Sequence, residues 1–403
     1  MVLPEPSGLA SHWDLDPDIV FLNHGSFGAC PRVVLARQQE WRARLEREPV
    51  LFLGRQIEGL LDEARASLAR LVRCDPDDLA LVPNATAGVN AVLRSLDLAR
   101  GDELLVTDHE YNACRNVLDH VAERAGARVV VAPIPFPLLG DDQIVEAVSS
   151  RVGPRTRLLL IDHVTSPTGI VMPVEKIVHA LAERGVDCLV DGAHAPGMVD
   201  LDLGRLGAAY YTGNCHKWLC TPKGSALLFV RRDRQTSIRP TSISHGANST
   251  RTDRSRFRLE FDWTGTCDPT PWLCIPEALG FLEGLLPGGL CALRERNRTL
   301  AIEGRARLLE ALHQAPPVPE NNLGSLASVI LPPTDAPAVG PLGLDPLQVR
   351  LFDHYGIEVP VMSWPSPRMR LLRISAQAYN SPEQYAYLAA ALEADPLGVG
   401  ARP

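Results

Sequence analysis

The feature that most constrains this chain is the alternation, through its middle part, of short apolar runs with longer segments of helical periodicity. In residues 174–184, for example, apolar side chains recur at helical spacing. Runs that are apolar on both faces and separated by helices predict a mostly parallel sheet covered by helices on both sides, the α/β class. In such sheets ligands bind beyond the carboxyl ends of the strands. The predicted strands are residues 103–107, 128–134, 157–161, 186–190, 208–212 and 226–231.

The pattern changes after residue 290, which predicts a second domain. A chain of 403 residues is also too long for one simple core. We therefore predict an N-terminal arm (1–35), a large domain (36–290) and a smaller α+β C-terminal domain (291–403) of ordinary size. The predicted helices and strands of the C-terminal domain are residues 293–313, 326–331, 357–362 and 369–375, with a last helix from residue 382.

Composition excludes several classes of function. The formal net charge is −8 and there is no basic run, which argues against nucleic acids or anionic membranes as partners. Residues 1–16 lack a basic region followed by an apolar stretch, and no apolar run reaches membrane-spanning length. The nine cysteines lack Cys-x-x-Cys spacing, which favours reduced thiols over disulfides or a metal site. These features predict a cytoplasmic protein without a bound metal.

Two polar clusters follow two successive predicted strands. Asp191 lies in Asp-Gly-Ala-His-Ala, and Lys217 lies in His-Lys-Trp. Either residue alone is more simply explained as a helix cap or a surface lysine. Together, at the ligand-binding edge of a parallel sheet, they match pyridoxal phosphate (PLP). A carboxylate keeps its pyridine nitrogen protonated, and a lysine amine carries the cofactor as a Schiff base and moves the substrate α-proton. His216 is placed to reach the phosphate or the lysine.

Two further segments are candidates for holding the cofactor. Residues 84–90 (Asn-Ala-Thr-Ala-Gly-Val-Asn) precede a helical pattern, and a helix start offers backbone amides to a phosphate, with Thr86 adding a hydroxyl. Because such turns are common, the prediction that this one binds phosphate depends also on its position upstream of Asp191. Residues 108–113 end another strand and contain His109 and Tyr111. Either ring is a candidate for stacking on the cofactor, and the sequence does not choose between them.

Motifs in this order and spacing resemble the isopenicillin N epimerase-like branch of the class V aminotransferases. The resemblance extends from about residue 20 to about residue 380. Its motifs include Asn-His-Gly-Ser-Phe-Gly at 23–28, the turn at 84–88, Asp-His-Glu-Tyr at 108–111, His-Val-Thr-Ser-Pro-Thr-Gly at 163–169, the Asp191 and Lys217 clusters, Trp-Thr-Gly-Thr at 263–266 and Leu-Arg-Ile-Ser at 372–375.

The resemblance implies a PLP enzyme of fold type I, acting on an amino acid as a homodimer with the site at the subunit interface. The implied roles are Lys217 as the cofactor lysine, Asp191 at the pyridine nitrogen, His194 near the ring, Thr86, Ala87 and His216 at the phosphate with Thr266 from the partner subunit, and Arg373 at the substrate carboxylate. A guanidinium suits a carboxylate independently of the resemblance, because the two form paired hydrogen bonds. Asn23 and Arg55 are further candidates for the substrate.

The chain departs from the family pattern at two places. Asn214-Cys215 replaces a small Ser-Gly pair before His-Lys, although an asparagine amide can still donate to phosphate. Gly-Thr-Cys267-Asp replaces Gly-Thr-Arg-Asp, which removes a cation near the substrate. The second change puts the diacid β-lactam substrate of the epimerase in doubt and suits another substrate, such as a cysteine conjugate.

The reaction type stays open between epimerisation, which the resemblance favours slightly, and β-elimination by a C–S lyase. Decarboxylation or deamination of a conjugate is a further alternative, and transamination is less favoured. No cysteine lies between Cys291 and Arg373, which argues against a desulfurase with a persulfide loop there. A catalytically silent binding protein would normally lose the lysine or the aspartate. A dehydrogenase has no support, because no Gly-x-Gly-x-x-Gly follows an early strand.

Overall fold

A computed structural model describes residues 2–340, 343–366 and 368–394 of the chain. The strands are β1 Val20–Phe21, β2 Leu79–Val82, β3 Glu103–Thr107, β4 Arg128–Ala132, β5 Thr156–Asp162, β6 Asp187–Asp191, β7 Tyr210–Asn214, β8 Ala226–Val230, β9 Leu326–Leu331, β10 Ile357–Glu358, β11 Val361–Ser363 and β12 Arg370–Ser375. The main sheet has seven strands in the order β2-β8-β7-β6-β5-β3-β4, and all are parallel except β8. The predicted α/β architecture is therefore confirmed.

Fifteen α-helices in the described residues connect or cover these strands. They are α1 His24–Phe27, α2 Arg32–Arg47, α3 Pro49–Leu51, α4 Ile57–Val72, α5 Ala85–Ser95, α6 Asn112–Ala125, α7 Asp141–Ser149, α8 Val174–Ala182, α9 Leu203–Leu206, α10 Arg256–Phe261, α11 Thr270–Leu273, α12 Ile275–Gly284, α13 Gly289–Ala311, α14 Pro346–Tyr355 and α15 Pro382–Ala394. A π-helical turn, Phe52–Gln56, joins α3 to α4. Short 3₁₀ turns lie at Gly8–His12, Pro76–Asp78, Arg232–Ser237, His245–Asn248 and Glu320–Asn322.

The strands of the main sheet are apolar throughout because both of their faces are covered. In β3, Leu104 and Val106 join one buried cluster, together with side chains of α5 and α6. Leu105, between them, points to the other face and joins a second cluster that contains Ile144 of α7 and Ile177 of α8. Burial on both faces explains why the sequence shows continuous apolar runs rather than alternation.

A second, smaller sheet lies toward the C-terminus. Its antiparallel strands have the order β11-β12-β9; α13 lies beside β9 and β12 and packs against α15. The N-terminal strand β1 pairs in parallel with β10 of the same region. Residues 20–21 are thus attached to the C-terminal part of the chain.

The structure divides one predicted strand and places a helix across the proposed domain boundary. The strand expected at 357–362 is divided into β10 and β11, because β10 pairs with β1 whereas β11 pairs with β12. Pro360 lies in the break and has no N–H to offer a ladder. In addition, α13 begins at Gly289, so the proposed boundary at residue 290 falls inside a helix.

Within the described residues, no single helix has the length and hydropathy needed to cross a membrane. The pair Thr270–Gly284 and Gly289–Ala311 meets these requirements only when taken together, and its two parts are bent by 71°.

Candidate active site

Asp191 ends β6 and is almost completely buried, beside Asp162 at the end of the neighbouring strand β5. Its Oδ1 accepts the Ala193 N–H at 2.9 Å, and its Oδ2 accepts the Cys114 thiol at 3.0 Å. Burial raises the pKa of Asp191, while these two hydrogen bonds and the charge of Lys217 oppose the rise. Each carboxyl oxygen therefore retains a lone pair for a further donor.

Two other buried carboxyl groups lie near Asp191. Both carboxyl oxygens of Glu110 and the Oδ2 of Asp162 have no hydrogen-bond partner among the described residues. Glu110, Cys114 and Asp191 have polar atoms within 4.8 Å of one another. Burial, followed by repulsion from Asp191, raises the pKa of Asp162 well above its usual range, and burial with repulsion from both aspartates does the same for Glu110. These shifts favour the neutral acid at Glu110 and Asp162, whereas two hydrogen bonds and the charge of Lys217 favour the anion at Asp191.

Lys217 follows β7 and is half-buried, with its Nζ 3.1 Å from His194 Nε2. Burial, and secondarily the charge of Arg373, lowers the pKa of Lys217 to about 7, although Asp191 and Asp162 oppose the shift. A large fraction of this lysine is therefore an uncharged, nucleophilic amine near neutral pH.

The tautomer of His194 follows from its neighbours. Trp218 Nε1 lies 3.5 Å from His194 Nδ1, and an indole N–H can only donate. Burial, with the nearby charges of Lys217 and Arg373, holds the pKa of His194 well below its usual range, so the ring is neutral. Its single proton must then lie on Nε2, facing the Lys217 amine. His194 therefore donates to Lys217, which favours the uncharged amine.

The start of α5 lies next to the end of β7. Asn214 Oδ1 accepts the Ala85 N–H at 2.8 Å, which leaves the Asn214 amide nitrogen as a donor. Asn84 caps the helix by accepting the Ala87 N–H at 2.8 Å. Among the described residues the Thr86 N–H has no acceptor, so this amide and the Thr86 hydroxyl are free to bind an anion.

His216 contacts the same region through one nitrogen only. Its Nδ1 lies 2.9 Å from the Ser225 carbonyl oxygen, so Nδ1 carries a proton and donates. Burial lowers the pKa of His216 to about 4. The neutral ring then presents Nε2 as an acceptor. It can donate to a phosphate oxygen through Nε2 only after gaining a second proton.

Arg373, in β12, is 2% exposed and lies at the same cleft as Lys217. Its Nη1 donates to the Ser166 carbonyl at 2.6 Å, and its Nη2 donates to Ser26 Oγ at 3.2 Å. Its Nε is buried without a partner among the described residues. Burial lowers the pKa of Arg373 to about 10, so the group remains a cation at neutral pH. A buried cation with an unused N–H is suited to an anionic ligand.

The cleft that contains Lys217 and Arg373 has a volume of about 990 Å³. Tyr111 lines it and is 47% exposed, whereas His109 is fully buried and does not line it. The His109 ring lies 4.4 Å from that of Trp364, and its Nδ1 lies 3.1 Å from Asp108 Oδ1. Of the two candidate rings, the structure brings only Tyr111 to the cleft.

The remaining candidates divide into two groups. Asn23 lines the cleft, where its Nδ2 donates to Glu358 at 2.9 Å. Arg55 is exposed on the π-helical turn, and Thr266 is exposed in the loop before α11; neither lines the cleft of this chain. Their roles remain predictions.

The family model described as "Aminotransferase class-V" matches residues 19–329 of this chain. The chain belongs to the class V aminotransferase family. It is 38% identical over 395 residues to an isopenicillin N epimerase of Streptomyces clavuligerus, an alignment that covers 94% of this chain and 96% of the relative. It is 30% identical to a probable chloroplastic L-cysteine desulfhydrase of Arabidopsis thaliana, with 92% and 81% covered.

Solved structures show the same fold type I architecture for this class V protein. A C-DES variant with glycine covalently linked to PLP superimposes with a TM-score of 0.79 at 24% identity and covers 96% of this chain and 99% of that one. A complex between the cystine C–S lyase C-DES and cysteine persulfide gives a TM-score of 0.77 at 24% identity, with 94% and 98% covered.

This class V protein is a PLP-dependent enzyme, and its buried residues fit that cofactor. Asp191 keeps free lone pairs for a pyridine N–H, Lys217 is a half-buried amine with a lowered pKa, and the Thr86 N–H is free to donate to an anion. The three groups lie at the ends of β6 and β7 and at the start of α5, the edge predicted for a ligand.

Several residues at this class V site were not singled out from the sequence. Ser26 and Ser166 hold the guanidinium of Arg373, and Cys114 donates to Asp191. Glu110 lies between His109 and Tyr111 in the sequence and was not considered. Its position after a buried strand could have marked it as a candidate. Ser26 and Ser166 do lie in motifs that carry the family resemblance.

Proposed function

We propose that this enzyme removes the α-proton of an amino acid whose carboxylate binds Arg373, and that it returns a proton to the opposite face, as in an epimerase. The observation that carries the proposal is the shared cleft of Lys217, with its lowered pKa, and Arg373, with its unused buried N–H. Bound PLP supplies an electron sink for the negative charge left when the α-proton departs.

The residues of the chain have distinct proposed roles in this reaction. Asp191 keeps the pyridine nitrogen protonated, and Thr86 with Asn214 binds the phosphate. Lys217 takes the α-proton from one face, since a large fraction of its amine is uncharged near neutral pH. Arg373 holds the substrate carboxylate, which fixes the α-carbon relative to Lys217. Homology to an isopenicillin N epimerase supports this choice of reaction.

An epimerase also needs a second acid on the opposite face. Tyr111 lines the cleft with its phenol exposed, whereas His109 is buried and His245 lies exposed in a 3₁₀ turn outside the cleft. We therefore propose Tyr111 as the second acid. Exchange of the α-proton for solvent deuterium, together with formation of the other enantiomer, tests the reaction on a panel of amino acids and S-substituted cysteines.

Tyr111→Phe separates the two proton transfers. Lys217 still acts on one face, so we expect α-deuterium exchange with retention to continue while the second enantiomer is lost. Lys217→Ala should abolish both, and Lys176→Ala is the matched control because Lys176 is an exposed lysine paired with Asp141. Full epimerisation by Tyr111→Phe would assign the second acid elsewhere. Full activity of Lys217→Ala would remove the proposal as a whole.

The second candidate is a C–S lyase that eliminates the β-substituent of a cysteine conjugate. It is favoured by homology to proteins named L-cysteine desulfhydrases and by Cys267 in the loop before α11. No cysteine is among the described residues that line the cleft, so a persulfide-forming desulfurase has less support. Release of thiol, ammonia and a keto acid, without the second enantiomer, would establish the lyase.

The cysteines of the chain bear on its cellular compartment. All nine cysteines are free thiols, and five of them are buried: Cys114, Cys188, Cys215, Cys220 and Cys274. Free buried thiols are typical of a reducing compartment. We propose the cytoplasm, which fractionation of the native host can test.

A further inference from the structure

Residues 23–28, which include α1, contact both ends of the cleft. His24 and Gly28 lie against Lys217, whereas Gly25 and Ser26 lie against Arg373. Apart from Asn23, the roles proposed above make no use of these residues. A single short segment therefore joins the proposed cofactor lysine to the proposed substrate arginine.

His24 is fully buried and holds the backbone of Lys217. Its Nε2 lies 3.0 Å from the Lys217 carbonyl oxygen, and a carbonyl only accepts, so Nε2 carries the proton and donates. Nδ1 then accepts the Tyr379 hydroxyl at 2.9 Å and the Ala29 N–H at 3.3 Å. One neutral tautomer is compatible with all three contacts, with the Tyr379 hydroxyl and the Ala29 N–H sharing the lone pair of Nδ1.

Other polar groups around His24 are compatible with this tautomer. The Gln377 amide nitrogen lies 3.3 Å from Nε2 and has another acceptor in the Cys220 sulfur at 3.6 Å. Burial lowers the pKa of His24 to about 3, so the ring stays neutral at ordinary pH. The N–H that holds Lys217 is therefore present at neutral pH.

Gly28 brings the main chain directly against the lysine. Its φ is +72°, and a Cβ at this position would lie 2.1 Å from the His216 carbonyl oxygen and 3.0 Å from Lys217 Cα. Lys223 Nζ donates to the Gly28 carbonyl at 2.9 Å and holds the segment from the far side. His24 and Gly28 thus support the main chain on both sides of Lys217, at its own carbonyl and at the peptide that precedes it.

The other side of the segment holds the arginine. Ser26 Oγ accepts from Arg373 Nη2 at 3.2 Å and donates to Asn23 Oδ1 at 2.6 Å. The Gly25 N–H donates to Ser375 Oγ at 3.0 Å, two residues after Arg373 in β12. A Cβ on Gly25 would lie 2.8 Å from Leu326, so this contact is also close.

We propose that residues 23–28 set the distance between the Lys217 amine and the Arg373 guanidinium, with His24 as a positioning residue for Lys217 and Ser26 for Arg373. This inference rests on the proposed roles of Lys217 and Arg373. The α-proton and the carboxylate belong to the same carbon of one substrate, so the groups that bind them must keep a fixed separation. A displacement of about 1 Å costs on the order of a hundredfold in rate.

His24→Gln and His24→Asn distinguish the donor from the bulk of the ring. A glutamine amide nitrogen reaches the position of Nε2 and can donate to Lys217, whereas that of asparagine reaches only the position of Nδ1. We expect cofactor attachment to the apoenzyme, followed by absorbance and fixed by borohydride, to stay within about threefold of wild type in His24→Gln and to fall about tenfold or more in His24→Asn. Equal rates in the two variants would overturn the proposal.

Tyr379→Phe is the matched control, because it removes the hydroxyl that donates to the His24 ring and leaves the contact with Lys217 in place. Attachment at the wild-type rate is expected, and a loss as large as that in His24→Asn would assign the effect to the ring's surroundings instead. If His24→Asn does not fold, His24→Gln decides: a tenfold loss in that variant contradicts the proposal.

Ser26→Ala tests the arginine side. We expect the KM for the amino acid to rise several-fold while the rate of cofactor attachment is unchanged, whereas His24→Asn should slow cofactor attachment. A Ser26→Ala enzyme with wild-type KM would remove this half of the inference. Failure of the proposed function would appear separately, as activity that survives in Lys217→Ala. If Lys217→Ala is inactive but His24→Asn attaches the cofactor at the wild-type rate, only the positioning role of His24 is overturned.

Discussion

At Lys217 the nearest hydrogen-bond partner of the amine is the neutral ring of His194 rather than a carboxylate. Because burial lowers the pKa of this lysine to about 7, protonation removes the nucleophile as the pH falls below 7. We expect the rate of PLP attachment to the apoenzyme to rise about tenfold per pH unit below pH 7 and to level off above about pH 8. A rate that keeps rising to pH 10 would indicate an ordinary lysine.

Cys114 gives a second prediction for single residues. Among the described residues its thiol is one of two groups that donate to Asp191, and hydrogen bonds to charged groups contribute about 1.5–3 kcal/mol. Cys114→Ala should therefore weaken PLP binding by about tenfold, measured by equilibrium dialysis of the apoenzyme. Cys114→Ser, which keeps a donor, is the control and should bind nearly as well as wild type. Equal affinities for both variants would show that Asp191 is oriented without this thiol.

The sequence singled out as candidates those residues whose chemistry is unusual for their place in the predicted fold. Asp191 and Lys217 each follow a buried strand, and the parallel sheet brings the ends of its strands to one edge. Ser26 and Ser166 carry no such signal, because a serine in a loop becomes informative only when Arg373 is known to lie beside it. That Tyr111 rather than His109 lines the cleft likewise required the fold, since the sequence does not show which of two residues in one motif faces the cleft.

At the scale of elements, Gly28 offers a sharp test of the contact between the N-terminal segment and the Lys217 loop. Gly28→Ala adds a Cβ that would lie 2.1 Å from the His216 carbonyl oxygen, at a φ of +72° that favours glycine. We expect a fall in the melting temperature of several degrees and weaker retention of PLP.

Gly59→Ala is the control for this substitution. Gly59 lies within α4, and an added Cβ would meet nothing within 4 Å. Alanine favours a helix over glycine, so the melting temperature should be unchanged or slightly higher. If both alanine variants behaved alike, the close approach at Gly28 would have no energetic importance.

The elements were predictable to the extent that local pattern determines them. The strands of the main sheet are continuous apolar runs, and six of them were located within a few residues. The division of residues 357–363 into β10 and β11 was not predictable. It arises because β10 pairs with β1, at the other end of the chain, whereas β11 pairs with β12, and local sequence pattern does not show strand pairing. The domain boundary near residue 290 stays a prediction, although the change of pattern there coincides with the first turn of α13 rather than with a loop.

At the scale of the whole molecule, we propose that two chains form a dimer and that Thr266 of one reaches the phosphate bound by the other. Within one chain Thr266 is exposed outside the cleft, and Phe27 at the cleft is 75% exposed. Large apolar side chains in such places are typical of an interface. Sedimentation should give a mass of twice 43.9 kDa.

Mixing two inactive variants tests whether the site is shared. Thr266→Asp places a negative charge against the phosphate, and Lys217→Ala removes the cofactor lysine. In a mixed dimer one site has Lys217 from one chain and Thr266 from the other, so unfolding and refolding the two variants together should restore part of the activity. Continued inactivity of the mixture, with a dimer present, would place Thr266 in the site of its own chain.

The pairing of β1 with β10 also has a consequence for folding during synthesis. Asn23 and its partner Glu358 are 335 residues apart, so the segment that bears His24 leaves the ribosome long before the strand that anchors it. The Lys217 loop is then complete while its support is still unpaired. A nascent chain halted before β10 should be unable to retain PLP, although it already contains the lysine, the aspartate and the phosphate-binding turn. Retention of PLP would thus indicate that synthesis has proceeded beyond β10.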